Sequence, residues 1–340
     1  MGIREVASRA GVSIATVSAV FNRRESVSES VRKRVLEAAR ELDYTPNRFA
    51  RVLRGKSSHL VAYIVPTVSN PLFSHVLRGI EDVMSANEYS VILCNTDFDC
   101  KRLSDYVGIL GELRIDGLII SADHSSATRQ AIDAFLKDNI PVVITCAPTD
   151  LTSADAVLVN DEMSAYIAVR YLIESGHFPV GAIGVTDSLT AQRRLGGYLR
   201  AHKELGLAVD ENLVHMEHGW TQASGRSGLQ RFIDSGHVPS AIFAFSDLLA
   251  IGALKQALAA KIDVPNELSI VGFDDSVAEL SQPELTTVRI PYYDLGELAA
   301  KILLGRMRQL KRGLPLKRRV RREIEGVLEI RDSVRNHRAP

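Results

Sequence analysis

The chain has 340 residues, 46% of them hydrophobic, with 41 basic residues balancing 41 acidic ones. That length exceeds the ~250–300 residues at which single cores stop growing, so two or more domains are expected. No apolar run approaches the ~18 residues of a membrane span. The opening MGIREVASRAG lacks an apolar signal segment, and Cys94, Cys100 and Cys146 form no CxxC pair, so we expect a cytoplasmic protein with reduced thiols.

The overall neutrality hides an asymmetry. Residues 1–57 carry 12 basic and 6 acidic side chains, which leaves 29 basic and 35 acidic in the remainder. A basic head on an acidic body suits a polyanionic partner for the head alone.

The first 45 residues predict an all-α helix-turn-helix. Ile3, Val6, Ala7 and Ala10 share one helical face, and Gly11 ends that helix. Ser13 is an N-cap for a second helix that buries Val17, Val20 and Phe21. Ser28 caps a third, with Val31, Val35, Ala38, Ala39 and Leu42 inward. Residues 46–58 form a linker: Pro46 blocks continuation, and a short helical stretch closes at Gly55. Isolated helices below ~12 residues are marginal in water, so this stretch is expected to fold on binding.

From residue 60 apolar runs alternate with amphipathic stretches. The runs are 60–65, 90–94, 117–121, 141–145, 156–159, 180–185, 241–245 and 268–273, and the helical stretches include 74–86 and 161–175. Continuous apolar strands between helices imply parallel sheets covered on both faces. Some 280 residues of this pattern predict two Rossmann-like α/β subdomains with a ligand between them.

GVSIATVSAVFN (11–22), flanked by IREVASRA and VSESVRKRVLEAARELDYTPNRFARVLRG, resembles the DNA-binding head of the LacI/GalR regulators. The likeness continues in order through IVPTVSNPLF, DGLIIS, RLGGY, SDLLAIGAL, IVGFDD and LTTVR. It implies a helix-turn-helix head (1–45), a hinge helix and linker (46–58) and a periplasmic-binding-protein-like sensor (59–340). Within the sensor it implies a first subdomain of about 59–159 plus 291–320 and a second of about 160–290 plus 321–330. It further implies a repressor that binds a palindromic operator as a homodimer and responds to a sugar-like or nucleoside-like effector.

Carried over residue by residue, Ile14, Ala15 and Ala19 face base edges, while Thr16, Ser18 and Asn22 contact phosphates. Leu53 resembles the hinge leucine that wedges into the minor groove, with Arg54 beside it. The implied effector pocket comprises Leu72, Phe73, Asp123, Cys146, Gln192, Trp220, Ser246 and Asp274. Several positions depart from the family. Ala19 stands where Arg is common, so guanine readout there gives way to apolar contact. Cys146 and Ala147 replace a frequent Asp-Arg pair, Gln192 a usual Arg, and Ile290 a common Gln. The cleft is therefore expected to be less charged than usual.

Other features carry less. GKS at 55–57 lacks the glycine that a phosphate loop needs at position 50, which is Ala50. The nine basic residues between Arg306 and Arg322 read as a solvated surface. His215 and His218 lack companion ligands, so no metal or other cofactor is expected. The alternatives are a solute-binding protein without a DNA role and an α/β hydrolase; the basic head disfavours the first and the lack of a nucleophile elbow the second.

Overall fold

A computed structural model describes residues 2–21, 27–44, 57–121, 125–146, 153–315 and 318–337. It divides into two compact units, Met1–Ser58 and His59–Pro340. Among the described residues no helix is long and apolar enough to cross a membrane.

The first unit contains α1 (Ile3–Ala10), α2 (Ile14–Phe21) and α3 (Glu29–Glu41). Gly11 ends α1 at φ +60°, the left-handed conformation that glycine adopts without strain. Ser13 starts α2, its Oγ accepting from the Thr16 amide at 3.0 Å. Ser28 occupies the N-cap position of α3, yet its hydroxyl meets Ser30 Oγ instead of a backbone amide. Among the described residues, eight small buried side chains, including Val6, Val17, Val20 and Val35, form the core, with Phe21, Leu42 and Tyr44 packed against it. Helices of eight residues do not persist alone, so this core is what holds α1 and α2 in place.

In the second unit the first subdomain runs through β1 (Leu60–Val65), α4 (Leu72–Ser85), β2 (Ser90–Asn95), α5 (Cys100–Glu112), β3 (Gly117–Ser121), α6 (Ser126–Lys137), β4 (Val142–Cys146) and β5 (Asp155–Val159). The second runs through α7 (Asp161–Glu174), β6 (Val180–Val185), α8 (Leu189–Glu204), β7 (Val214–Glu217), α9 (Gln222–Asp234), β8 (Ala241–Ala244), α10 (Asp247–Ala259), β9 (Ser269–Asp274) and β10 (Thr286–Arg289). The chain then returns with α11 (Tyr292–Lys311), β11 (Arg321–Ile324) and β12 (Val327–Glu329).

The first sheet has the order β11-β5-β4-β3-β1-β2, parallel throughout. The second has the order β12-β10-β9-β8-β6-β7, in which only β12 is antiparallel. Alternation along β1 shows burial on both faces: Val61, Tyr63 and Val65 belong to one core cluster, Ala62 and Ile64 to another.

One expected boundary moves. The family pattern groups residues 321–330 with the second subdomain, but Arg321 pairs with Ala156 and Ile324 with Val159, which places 321–324 in the first sheet. The last crossing between subdomains falls at Glu325–Gly326. Gly326 makes it possible: a Cβ there would overlap Val288, and its amide donates to Ser164 Oγ at 3.0 Å. The other crossings are at Asn160 and at Ile290–Pro291.

Candidate DNA-reading helix and effector cleft

In the first unit α2 turns Val17 and Val20 into the core. Its start is left outward, with Ile14 42% exposed and Ala15 exposed. Thr16, Ser18 and Ala19 are half-buried, and Thr16 Oγ1 meets Ser13 Oγ at 2.9 Å. The far end of α2 is tied down by Arg32, whose Nη1 donates to the Val20 carbonyl at 3.3 Å. An exposed β-branched residue opening a short fixed helix with no acid in its first turn can approach a polyanion and make apolar contact there. Asn22, Leu53 and Arg54 lie outside the described residues.

The candidate cleft of the second unit centres on Arg194, whereas the family pattern directs attention to Gln192. Arg194 is 4% exposed, while Gln192 lies in solvent. The reason is helical spacing: Ala191, Arg194, Tyr198 and Ala201 are all buried along one face of α8. Gly197 brings α8 against α7, where any Cβ would overlap the Glu162 carbonyl.

Arg194 Nε donates to Asp161 Oδ1 at 2.8 Å, Nη1 to the Phe245 carbonyl, and Nη2 to Asp274 Oδ1 at 3.4 Å. Its guanidinium lies 3.6 Å from the Phe273 ring centroid and 5.4 Å from that of Trp220. Tyr292, the first residue of α11, donates to Asp274 Oδ1 at 2.7 Å. The cluster thus joins Asp161, next to the first crossing, to Tyr292, next to the second.

Burial pushes the Asp161 carboxyl up to about 6 against the opposing pull of Arg194, and it raises Asp274 too. Asp161 Oδ2 is enclosed with no hydrogen-bond partner, so the site has an unused acceptor. Arg194 faces two carboxylates, and Arg193, which also acts on Asp161, pairs with Glu162 at 3.8 Å, so among the described residues neither cation is left to an anion.

Asp274 and Asp275 take left-handed φ values of +111° and +56°. Asp247 holds the turn that follows: Oδ2 accepts from the Ser276 amide at 2.8 Å and Oδ1 from Thr287 Oγ1 at 2.6 Å. Burial, then Asp274, push the Asp247 carboxyl up to about 7. Ser246, expected at the ligand, is buried as the N-cap of α10. On the other wall Ser121 Oγ meets Tyr63 OH and Thr145 Oγ1, each at 2.8 Å, and donates to Cys146 Sγ at 3.7 Å. Burial pushes the Cys146 thiol up to about 12, so it stays protonated. Leu72 is buried and Phe73 half-buried at the start of α4; Asp123 and Ala147 lie outside the described residues. Ile290 is buried. Among the described residues no cluster of metal ligands occurs, and His218 Nδ1 instead meets Thr186 Oγ1 at 3.2 Å.

The comparisons with known proteins cover the same two parts. Residues 2–47 match the model of bacterial regulatory proteins of the lacI family, and residues 169–334 match a periplasmic binding protein-like domain. The HTH-type transcriptional regulator DegA of Bacillus subtilis (strain 168) is 33% identical over 86% of this chain and 88% of its own length. The chain belongs to the lacI family. A lac repressor dimer bound to operator and the anti-inducer ONPF superposes with a TM-score of 0.85 at 25% identity, covering 98% of both chains. The complex of the transcriptional regulator CelR with cellobiose gives 0.74 at 26% identity, over 98% of this chain and 99% of that one. As a lacI-family member the protein is a DNA-binding transcriptional regulator with an effector-binding domain, and its helical head and paired α/β subdomains are that family's fold.

Proposed function

We propose that the protein is a cytoplasmic, non-enzymatic repressor that binds a two-fold symmetric DNA site as a homodimer and is controlled by a neutral, hydroxyl-bearing effector, sugar-like or nucleoside-like. The observation that carries the effector reading is the Arg194 cluster. It is buried, it sits beside two of the crossings between subdomains, and it retains an unpartnered acceptor at Asp161 Oδ2. Trp220 offers an aromatic face beside it. Leu72, Phe73, Asp123, Cys146, Ser246 and Asp274 complete the proposed pocket, with Arg194, in place of Gln192, as the side chain supplied by α8. Hydroxyl donors satisfy the free carboxylate oxygen, whereas a phosphate would meet two carboxylates around one neutralised guanidinium.

On the head, Ile14, Ala15 and Ala19 read bases, Thr16, Ser18 and Asn22 contact phosphates, and Leu53 with Arg54 enters the minor groove. The second copy docks on a groove of about 710 Å³ that contains Ile251, Leu254, Leu258 and Leu280. Leu258 and Leu280 are 80% and 83% exposed, too much apolar surface to leave in water. The lac repressor neighbour is itself a dimer on its operator.

A thermal-shift panel of sugars, nucleosides, polyols and sugar phosphates tests the reading. A binder at a hundredfold excess over its Kd adds about 2.7 kcal/mol of stability. The expected hits are neutral polyhydroxy compounds that also alter DNA binding. Hits confined to sugar phosphates overturn the neutral-effector reading, and catalytic turnover of a hit overturns the non-enzymatic one.

A further inference from the structure

The Arg306–Arg322 segment is more than a solvated charge run. Arg306 is buried on α11 and forms a two-pronged pair with Asp155, Nε to Oδ2 at 2.7 Å and Nη2 to Oδ1 at 2.8 Å. The same pair fixes the turn that follows α11: Arg306 Nη2 donates to the Arg318 carbonyl at 2.9 Å and the Val320 amide to Asp155 Oδ1 at 2.7 Å. Arg318 and Val320 are thereby anchored to α11, which fixes the approach to β11 with Arg319 beside them and Arg322 in the strand. No acidic residue occurs from position 298 to position 322. Arg308 and Arg312, at the end of α11, continue the positive surface, and both are exposed.

Its place in the fold gives this surface a partner. All six strands of the first sheet are parallel, so all begin at one end, opposite the cleft at their C-terminal ends. β11 begins at that end, four strand spacings from β1, or about 19 Å. The end of α11 lies there too: Lys311 Nζ donates to Tyr89 OH at 2.7 Å, and the Tyr89 ring stacks on His59 with centroids 5.2 Å apart. His59 precedes β1, so this is where the chain arrives from the DNA-reading unit. Twelve residues, 45–56, separate the described parts of the two units, and they span at most about 45 Å when fully extended. Among the described residues at this end, Glu88, Glu112, Asp116 and Asp138 sit before β2, β3 and β4; Asp155 is taken up by Arg306, and Glu323 of β11 pairs with Arg321 at 3.7 Å, which leaves Arg318, Arg319 and Arg322 to the surface.

We propose that the basic surface formed by the end of α11 and the start of β11 binds the sugar-phosphate backbone of DNA flanking the site that α2 reads. It adds sequence-independent affinity from outside the helix-turn-helix. Arginine forks suit phosphate oxygens, and the buried Arg306–Asp155 pair sets them in place before binding.

The test uses full-length protein and mixed-sequence duplexes of two lengths, the longer extended by a helical turn at each end, read by fluorescence anisotropy across a salt series. One variant is R318Q/R319Q/R322Q; a second, R308Q/R312Q, samples the same surface from α11. Arg306 is kept because it is structural. Each phosphate left without its arginine lowers the slope of log K against log salt by about 0.9, so the triple variant is expected to lose up to about 2.7 per protomer. Its affinity for the longer duplex should fall at least about tenfold at low salt, with unchanged melting. Slopes and affinities equal to wild type in both folded variants overturn the proposal and leave the surface to an acidic protein partner or to solvent.

Discussion

Replacing Arg194 with Met tests whether the cleft is an electrostatic unit. The substitution keeps most of the aliphatic volume and deletes the cation that bridges Asp161 and Asp274. Both carboxylates are buried, at 2% and 3% exposure. Removing one partner of a buried ion pair costs about 3–5 kcal/mol because the remaining charge is uncompensated. The loss should depend on pH, and its sign follows from the carboxyl groups. Asp161 has a folded value of about 6 against an ordinary 3.8, so the folded state binds protons more tightly than the unfolded one. Stability attributable to this group is therefore greatest below the ordinary value and declines as pH rises from about 4 to about 6, by roughly 3 kcal/mol for a shift of this size. Without Arg194 the folded values rise further, and protonation relieves the repulsion at low pH. Urea denaturation of wild type and R194M at pH 5 and pH 7.5 should show the larger deficit at pH 7.5, and adding D161N to R194M should recover part of it. A deficit of equal size at both pH values, with no recovery by D161N, would refute the charge argument and leave only the loss of packing against Phe273.

Three other outcomes are expected. Trp220 is the only tryptophan in the sequence, so its emission should change when an effector binds, and D274N should abolish the effector's influence on DNA affinity while basal DNA binding persists, as gel shifts with and without effector will show. Gly326→Ala should destabilise the second unit by about 1–3 kcal/mol in denaturant titration, because the added methyl meets Val288 and Ile290 at the crossing. Ser13→Ala removes the cap of α2 and should cost the head about 1 kcal/mol, read as a lower melting temperature and weaker DNA binding.

Local chemistry determines much of this protein. Gly11 and Ser13 fix a turn between two short helices through their own backbone geometry, and the apolar runs at 60–65, 117–121 and 180–185 coincide with β1, β3 and β6 because a strand buried on both faces must be apolar throughout. β4 is shifted by one residue at each end from its apolar run and β5 begins one residue earlier than its own, within the range over which element ends are assigned. The signal is absent in VHME, RREI and VLE, which form β7, β11 and β12 at sheet edges: Arg321, Arg322 and Glu323 face solvent, while the polar Glu217 of β7 is buried against Arg231, so none of these strands reads as apolar. The order LTTVR marks a family motif without revealing that its last four residues form β10. The cleft is the least legible part. Arg194 meets Asp161 from 33 positions away and Asp274 from 80, and no local period records which two carboxylates a buried guanidinium will find. Its inward face is readable from the spacing of Ala191, Tyr198 and Ala201; its partners are not, because they are set by how two sheets and three crossings bring distant chain segments together.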